Sequence, residues 1–181
     1  MILEGLIYYV YSHSVYIKSS GSMNQYKILF ICTHNSARSI LAEALASTHP
    51  SGLFIGYSAG SNPANSVNPI VAELTKEMGF DSAKLLSKSW DLYGLPDAPK
   101  MDFIITLSNK AAGEVNPVWP GSPTTALWDF PDPSQVQGTN LEKKTAFISL
   151  LNGLEKRIDI LSAFPLNTLN SISLREIHVK A

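Results

Sequence analysis

The chain has 181 residues, enough for one domain with a sizeable core and too few for a comfortable pair of domains. Hydrophobic residues make up 45% of it and charged residues 16%, as is typical of a globular protein. Lysine and arginine total 14 against 15 aspartates and glutamates, and neither sign forms a long run. This balance argues against a nucleic-acid-binding face and a polybasic membrane patch. The single cysteine rules out an internal disulfide and favours a cytoplasmic protein.

The N-terminal segment is expected to lie outside the catalytic fold. Residues 1–22 contain an apolar, tyrosine-rich stretch, but polar residues interrupt it. The stretch falls short of the roughly 20 apolar residues that a spanning helix needs, and it lacks the basic leader of a signal peptide. Residues 19–22 are typical of a flexible linker. We therefore expect residues 23–181 to form a single catalytic domain.

The rest of the chain alternates between strand and helix patterns. Short apolar runs predict buried strands at residues 27–31, 53–57, 102–107 and 124–128. Helical spacing predicts helices at residues 39–47, 69–78, 140–161 and 166–179. This alternation predicts an α/β fold with a parallel sheet flanked by helices on both faces. Ligands bind at the carboxyl edge of such sheets, and the first strand leads directly to Cys32.

Residues 32–39 form a strand-to-helix turn that we call the oxyanion loop. Ser39 follows Arg38. Five residues lie between Cys32 and Arg38: Thr33, His34, Asn35, Ser36 and Ala37. A turn of this length can direct its backbone N–H groups at one tetrahedral anion, at the N-terminus of a helix. The planar fork of Arg38 can hold two oxygens of that anion. The same positive field favours the thiolate form of Cys32.

A cysteine at the end of a strand is usually only a small buried hydrophobe. Here the strand before it, the helix after it, and the accompanying Asn35 and Ser39 favour a nucleophile. Asn35 tolerates a left-handed backbone in a tight turn, and Ser39 is placed to donate a hydrogen bond to the thiolate. His34 is interpreted as an ordinary loop histidine. The four histidines of the chain are far apart in the sequence, so no metal site is predicted.

An acid that protonates the leaving oxygen is expected after the fourth strand. Two aspartates are candidates there, Asp129 and Asp132. We favour Asp132 because Pro133 holds it in an extended conformation. Asp129 remains the alternative, although an aspartate in such a loop is often a turn or cap residue.

The oxyanion loop and the residues after it resemble the low-molecular-weight tyrosine phosphatase superfamily, and its arsenate reductase branch most closely. Supporting segments keep the family's order: 58–61, 87–90, 111–114, 117–121 and 130–133. The resemblance covers most of residues 26–165. It implies a four-stranded parallel sheet of the phosphotyrosine protein phosphatase I-like fold. It also implies Cys32 as nucleophile, Arg38 as oxyanion clamp and Asp132 as general acid.

The resemblance also has implications for cofactors and reductants. In some members, the positions of Asn35, Glu43 and Ser58 help to hold a potassium ion; no tightly bound cofactor is otherwise expected. Thioredoxin-coupled members carry two further cysteines, at positions where this chain has the segment 108–110 and Asn116. Reduction here would therefore need an external thiol such as glutathione, mycothiol or a glutaredoxin.

Three functions are consistent with these features. The favoured one is an arsenate reductase that acts through a Cys32 adduct and an external thiol. The alternative is a phosphatase that hydrolyses phosphotyrosine or a small phosphomonoester through a cysteinyl-phosphate. The aromatic residues that wall a phenyl ring in tyrosine-directed members are replaced here by Ser134 and Gln135. A third possibility is an inactive protein that binds arsenate or phosphate without turnover.

Overall fold

The centre of the molecule is a four-stranded sheet. The computed structural model describes residues 6–11, 14–19, 25–169 and 171–180. Its strands are β1 (Leu6–Tyr11), β2 (Ser14–Ser19), β3 (Tyr26–Cys32), β4 (Phe54–Gly60), β5 (Phe103–Thr106) and β6 (Thr124–Leu127). The last four form the central sheet in the order β4-β3-β5-β6, and every pairing in it is parallel. The predicted four-stranded parallel sheet is confirmed.

Helices and short helical turns cover the sheet. The helices are α1 (Arg38–Thr48), α2 (Pro69–Glu77), α3 (Asn109–Ala112), α4 (Asn140–Ser162) and α5 (Ser171–Lys180). Shorter 3₁₀ turns occupy Ser82–Lys84, Trp90–Tyr93, Pro133–Gln135 and Leu166–Thr168. The side chain of Asn68 caps α2 ahead of Pro69, and Thr139 with Glu142 forms a capping box on α4. These local signals explain why both helices begin where the sequence predicts.

The two faces of the sheet are covered unequally. Alternate residues of β3, including Ile28 and Phe30, pack with α1, α2, α4 and α5 in the larger core. The intervening residues, Leu29 and Ile31, pack with the Trp90–Tyr93 turn and with α3. Because both faces are buried, the strands are continuously apolar rather than alternating. The predicted helices on both faces are present, but those on the second face are short.

The predicted last helix is present at Ser171–Lys180, but its predicted start at residue 166 is wrong. Leu166–Thr168 is a 3₁₀ turn, and Leu169 is extended before α5 begins. Leu166 is buried in the larger core and Leu169 packs against it, while Leu174 and Ile177 of α5 are fully buried. Packing of these leucines therefore sets a change of chain direction that helical spacing alone does not reveal.

The N-terminal strands form a sheet of their own. β1 and β2 pair antiparallel, with Leu6 opposite Ser19. Residues 20–24, which include most of the expected linker, lie outside the described residues. The separation of residues 1–22 from the catalytic fold stays a prediction. In the parts of the chain that the structure describes, no helix is both long enough and apolar enough to cross a membrane.

Candidate active site

The oxyanion loop lies at the carboxyl edge of the central sheet, between β3 and α1. Its carbonyl groups are bound on the outside by backbone N–H groups of the segment 61–68, at 2.8–3.2 Å. The carbonyls are those of Cys32, Thr33, His34 and Ser36, and the donors are Ser61, Asn62, Ala64 and Asn68. Because the N–H and C=O of a trans peptide point in opposite directions, this pattern turns the loop's N–H groups toward its concave side. The loop thus has the form of an anion cradle.

Two residues give the loop its tight curvature. Asn35 has a φ of 43°, in the left-handed region that asparagine tolerates, as the sequence predicted. Gly60, at the end of β4, lies directly against the loop: a Cβ built there would be 2.7 Å from the Thr33 carbonyl oxygen and 2.9 Å from the Asn35 nitrogen. Only a glycine allows this approach without displacing backbone atoms.

The sulfur of Cys32 is buried and surrounded by donors. Its residue is 2% exposed, and its Sγ lies 3.1 Å from Ser39 Oγ. The backbone N–H of Asn35 points at the same sulfur, at 3.3 Å. The Asn35 side chain donates in turn to Ser39 Oγ at 2.8 Å, which leaves the Ser39 hydroxyl proton to Cys32. These contacts stabilise a negative charge on the sulfur.

The first turn of α1 is free for an anion. Its N-cap residue, Ala37, provides no side-chain acceptor, and its first turn contains no acidic residue. The partial positive charge of the helix N-terminus therefore meets Cys32 and any bound oxyanion without a competing carboxylate from the helix. Arg38 begins the helix and is 7% exposed.

Arg38 connects the loop to the segment after β6, which we call the acid segment (residues 128–135). Its Nη2 donates to Asp132 Oδ2 at 2.9 Å, and its Nη1 donates to the Phe130 carbonyl at 3.0 Å. The Arg38 side chain is 8% exposed and that of Asp132 is 19% exposed. The structure therefore brings Arg38 and Asp132 together, as the sequence predicted.

Asp129 has a different environment. Its Oδ1 accepts the backbone N–H of Asn109 at 3.0 Å, and its Oδ2 accepts the Asn109 side-chain amide. Both oxygens thus hold the start of α3. Asp129 therefore anchors α3, whereas Asp132 contacts Arg38.

A buried ion pair lies behind the loop. Glu43 of α1 accepts a hydrogen bond from Ser58 Oγ and pairs with Lys88 Nζ at 3.2 Å. The backbone N–H of Lys88 donates to Asn35 Oδ1 at 2.6 Å, which ties the pair to the loop. Burial raises the pKa of the Glu43 carboxyl above its usual value, while the Lys88 charge and the Ser58 hydrogen bond oppose this rise.

Comparison with known proteins gives the family. The family model for low molecular weight phosphotyrosine protein phosphatase matches residues 27–167. The chain belongs to this family. The arsenate reductase of Halalkalibacterium halodurans is 35% identical over 136 residues, covering 75% of this chain and 94% of that protein. That of Bacillus subtilis (strain 168) is 34% identical over 131 residues, covering 72% of this chain and 91% of that protein.

A solved structure agrees with these relatives. The crystal structure of arsenate reductase from Archaeoglobus fulgidus superposes with a TM-score of 0.56 at 26% identity. The superposition covers 76% of this chain and 99% of the Archaeoglobus fulgidus chain. The chain thus lies in the arsenate reductase branch of an enzyme family, and the resemblance found in the sequence is confirmed.

The residues that hold potassium in some members of the family do not fit that ion here. Glu43 Oε2 is taken by Ser58 Oγ and Lys88 Nζ. Asn35 Oδ1 is taken by the Lys88 backbone. A potassium ion would need the Glu43 carboxylate as a ligand, but the Lys88 ammonium already supplies the positive charge beside it.

The positions of the relay cysteines are occupied by polar residues. Ser108 caps α3, and its Oγ lies 3.3 Å from Thr33 Oγ1, so this position touches the oxyanion loop. Asn116 is exposed. Cys32 is the chain's single cysteine, and its thiol is free. A disulfide cannot form within one chain.

Sequence reasoning missed the part played by two residues near the site. Lys88 was noticed only as part of a family segment, because nothing local reveals its pairing with Glu43, 45 residues earlier. Arg157 of α4 was also missed, although it interrupts the buried apolar stripe of that helix, which includes Leu154 and Leu161. A charged residue in an apolar stripe was the available signal.

Proposed function

We propose that this protein reduces arsenate to arsenite, with Cys32 as nucleophile. The single observation that carries the proposal is the oxyanion loop itself: its carbonyls are bound on the outside, its N–H groups face inward, Cys32 begins it and Arg38 lies near its end. Relatives that are 34–35% identical over most of their length and are named arsenate reductase support the choice of arsenate.

The proposed reaction has three steps. The Cys32 thiolate attacks arsenic, an arsenic–oxygen bond breaks, and Asp132 gives its proton to the leaving oxygen, which departs as water. An external thiol then attacks the Cys32 sulfur, the sulfur–arsenic bond breaks with its electron pair going to arsenic, and arsenite leaves. A second equivalent of thiol reduces the mixed disulfide and restores Cys32. Two thiols are oxidised for each arsenic that is reduced.

The need for an external reductant follows from the cysteine count. Because the chain has one cysteine, the second sulfur must come from another molecule. Glutathione, mycothiol and a glutaredoxin are the candidates, and the active-site contacts favour none of them. We also propose that residues 1–22 take no part in this chemistry, since the family match begins at residue 27.

A phosphatase is the second candidate. Hydrolysis through a cysteinyl-phosphate needs no second sulfur, so the single cysteine of this chain is no obstacle to it. Against a tyrosine-directed enzyme, Ser134 and Gln135 are exposed polar residues that offer no wall for a phenyl ring. A small phosphomonoester is the more suitable substrate for such a site.

A parallel assay of both activities tests the proposal. One arm follows hydrolysis of para-nitrophenyl phosphate, and the other follows arsenate-dependent oxidation of glutathione, with and without glutaredoxin. Arsenite production that needs a thiol and is absent in Cys32→Ser supports the reductase. Phosphate release without arsenate reduction would establish the phosphatase instead. Anion binding with neither turnover would leave an inactive oxyanion-binding protein.

A further inference from the structure

Arg157 is a buried cation on α4, and the proposed chemistry does not use it. It is 9% exposed and lies among the apolar residues that face the core. Among the residues that the structure describes, no hydrogen-bond partner reaches its Nε or Nη1. Burying a guanidinium without satisfying these donors is costly. A methionine would fill the same space without that cost, so packing alone does not account for the charge.

The guanidinium is stacked on an aromatic ring of the acid segment. The Arg157 Cζ lies 3.8 Å from the centroid of the Phe130 ring, within the range of a cation–π interaction. The edge of the same ring rests on Gly153, one turn earlier in α4, where an added Cβ would be 2.8 Å from Phe130 Cε1. Helix α4 therefore fixes the ring in one place.

The backbone of Phe130 carries this restraint to the site. Its carbonyl accepts Arg38 Nη1 at 3.0 Å, and its N–H donates to the Leu107 carbonyl at 3.2 Å. Asp132, two residues later, pairs with the other nitrogen of the Arg38 fork. A shift of the Phe130 ring would move the carbonyl that orients Arg38 and the short segment that holds Asp132.

We propose that Arg157 is a positioning residue for the general acid: by stacking on Phe130 it holds Asp132 in register with Arg38 and the bound oxyanion. This inference rests on the proposed function, because it takes Asp132 as the acid. It concerns the placement of the acid and assigns Arg157 no contact with the substrate.

The test compares Arg157→Met with the matched control Arg175→Met, which removes an exposed arginine of α5. We expect Arg157→Met to lower kcat about 10- to 100-fold, because small misplacements of a catalytic group have effects of that size. KM for the oxyanion should change much less than kcat, since the backbone N–H groups of the oxyanion loop stay in place even if Arg38 shifts. Arg157→Lys, which keeps a cation over the ring, should recover part of the rate. Arg175→Met should behave as wild type.

A double-mutant cycle identifies the route of the effect. If Arg157 acts through Asp132, the loss in kcat caused by Arg157→Met should disappear in an Asp132→Asn background. Gly153→Ala, which crowds the ring from its edge, should give the same pattern. Hydrogen exchange provides a readout that needs no turnover: amides of residues 128–135 should exchange faster in Arg157→Met, while those of β3 stay protected.

The outcomes separate this inference from the proposed function. If Asp132→Asn leaves the rate unchanged, Asp132 is not the acid, and the role of Arg157 falls with it. If Asp132→Asn slows turnover but Arg157→Met does not, or the two losses multiply in full, only the positioning role is overturned. Unchanged exchange over residues 128–135 in Arg157→Met overturns it as well, whatever the activity.

Discussion

The oxyanion loop and the acid segment meet at Arg38, yet they are held in place differently. The carbonyls of the loop are bound by backbone N–H groups of residues 61–68. The acid segment depends more on distant helices: the side chains of Arg38 of α1 and Arg157 of α4 contact it, and its own Trp128 indole donates to the Leu174 carbonyl of α5 at 2.9 Å. The nucleophile's surroundings should therefore resist side-chain changes but not backbone crowding. The acid's position should respond to single side chains.

The largest effect is expected at the nucleophile. Cys32→Ser should abolish turnover, because a serine hydroxyl is a far weaker nucleophile than a thiolate at neutral pH. Since the backbone cradle does not depend on the sulfur, the fold and the affinity for phosphate should be largely retained. Calorimetric binding of phosphate and a thiol-dependent arsenite assay check the two halves. Appreciable remaining turnover would contradict the assignment of Cys32.

The next largest effect is expected in the acid segment. Asp132→Asn should slow turnover by about 10²–10⁴-fold, the usual contribution of general acid catalysis. Asp129→Asn is the comparison variant, because Asp129 binds Asn109 at the start of α3, whereas Asp132 pairs with Arg38. Asp129→Asn should lower the melting temperature, and it should slow turnover much less than Asp132→Asn does. The opposite ranking of the two rates would make Asp129 the acid.

Backbone crowding of the loop should have a smaller but definite effect. Gly60→Ala places a Cβ against Thr33 and Asn35, and such overpacking costs about 1–3 kcal/mol of folding free energy. Affinity for phosphate should fall with it, because the cradle is displaced. Gly113→Ala is the control, since its Cβ would meet nothing closer than 3.6 Å. Urea unfolding and phosphate titration measure both; equal stability of the two variants would refute the close approach of Gly60.

The ion pair behind the loop allows a test by pH. Lys88→Gln removes the partner of the buried Glu43 carboxylate and should lower the free energy of unfolding by about 1–3 kcal/mol near neutral pH. Burial already raises the pKa of Glu43 in the folded protein above its usual 4.5. The stability that this group contributes is therefore lost as the pH rises from the usual pKa through the raised pKa of the folded state. Without the opposing Lys88 charge the pKa rises further. The deficit of Lys88→Gln should therefore be larger at about pH 8 than at about pH 5.

The control for that variant is Lys144→Gln, which breaks the exposed pair with Glu73. Exposed pairs contribute little to stability, so no pH-dependent deficit is expected from it. A Lys88→Gln deficit that is constant with pH would show that Glu43 is not the group left unpaired.

Local sequence determined the nucleophilic half of this site. The apolar strand before Cys32, the tolerance of Asn35 for a left-handed backbone, and the start of α1 at Arg38 are all encoded within about a dozen consecutive residues, and the structure contains each of them. The parallel sheet was likewise predictable, because strands buried on both faces must be continuously apolar.

Only the tertiary structure decided the rest. Two contacts join residues that are far apart in sequence: Lys88 pairs with Glu43, and Arg157 stacks on Phe130. The chain also changes direction at Leu169, ahead of α5. Such contacts depend on how elements pack across the sheet, and helical or strand periodicity has no information on that packing. The nucleophile is local because a strand-to-helix turn builds its cradle from backbone. The position of Asp132 is not local, since the side chains of Arg38 in α1 and Arg157 in α4 and the Leu174 carbonyl of α5 all contact its segment.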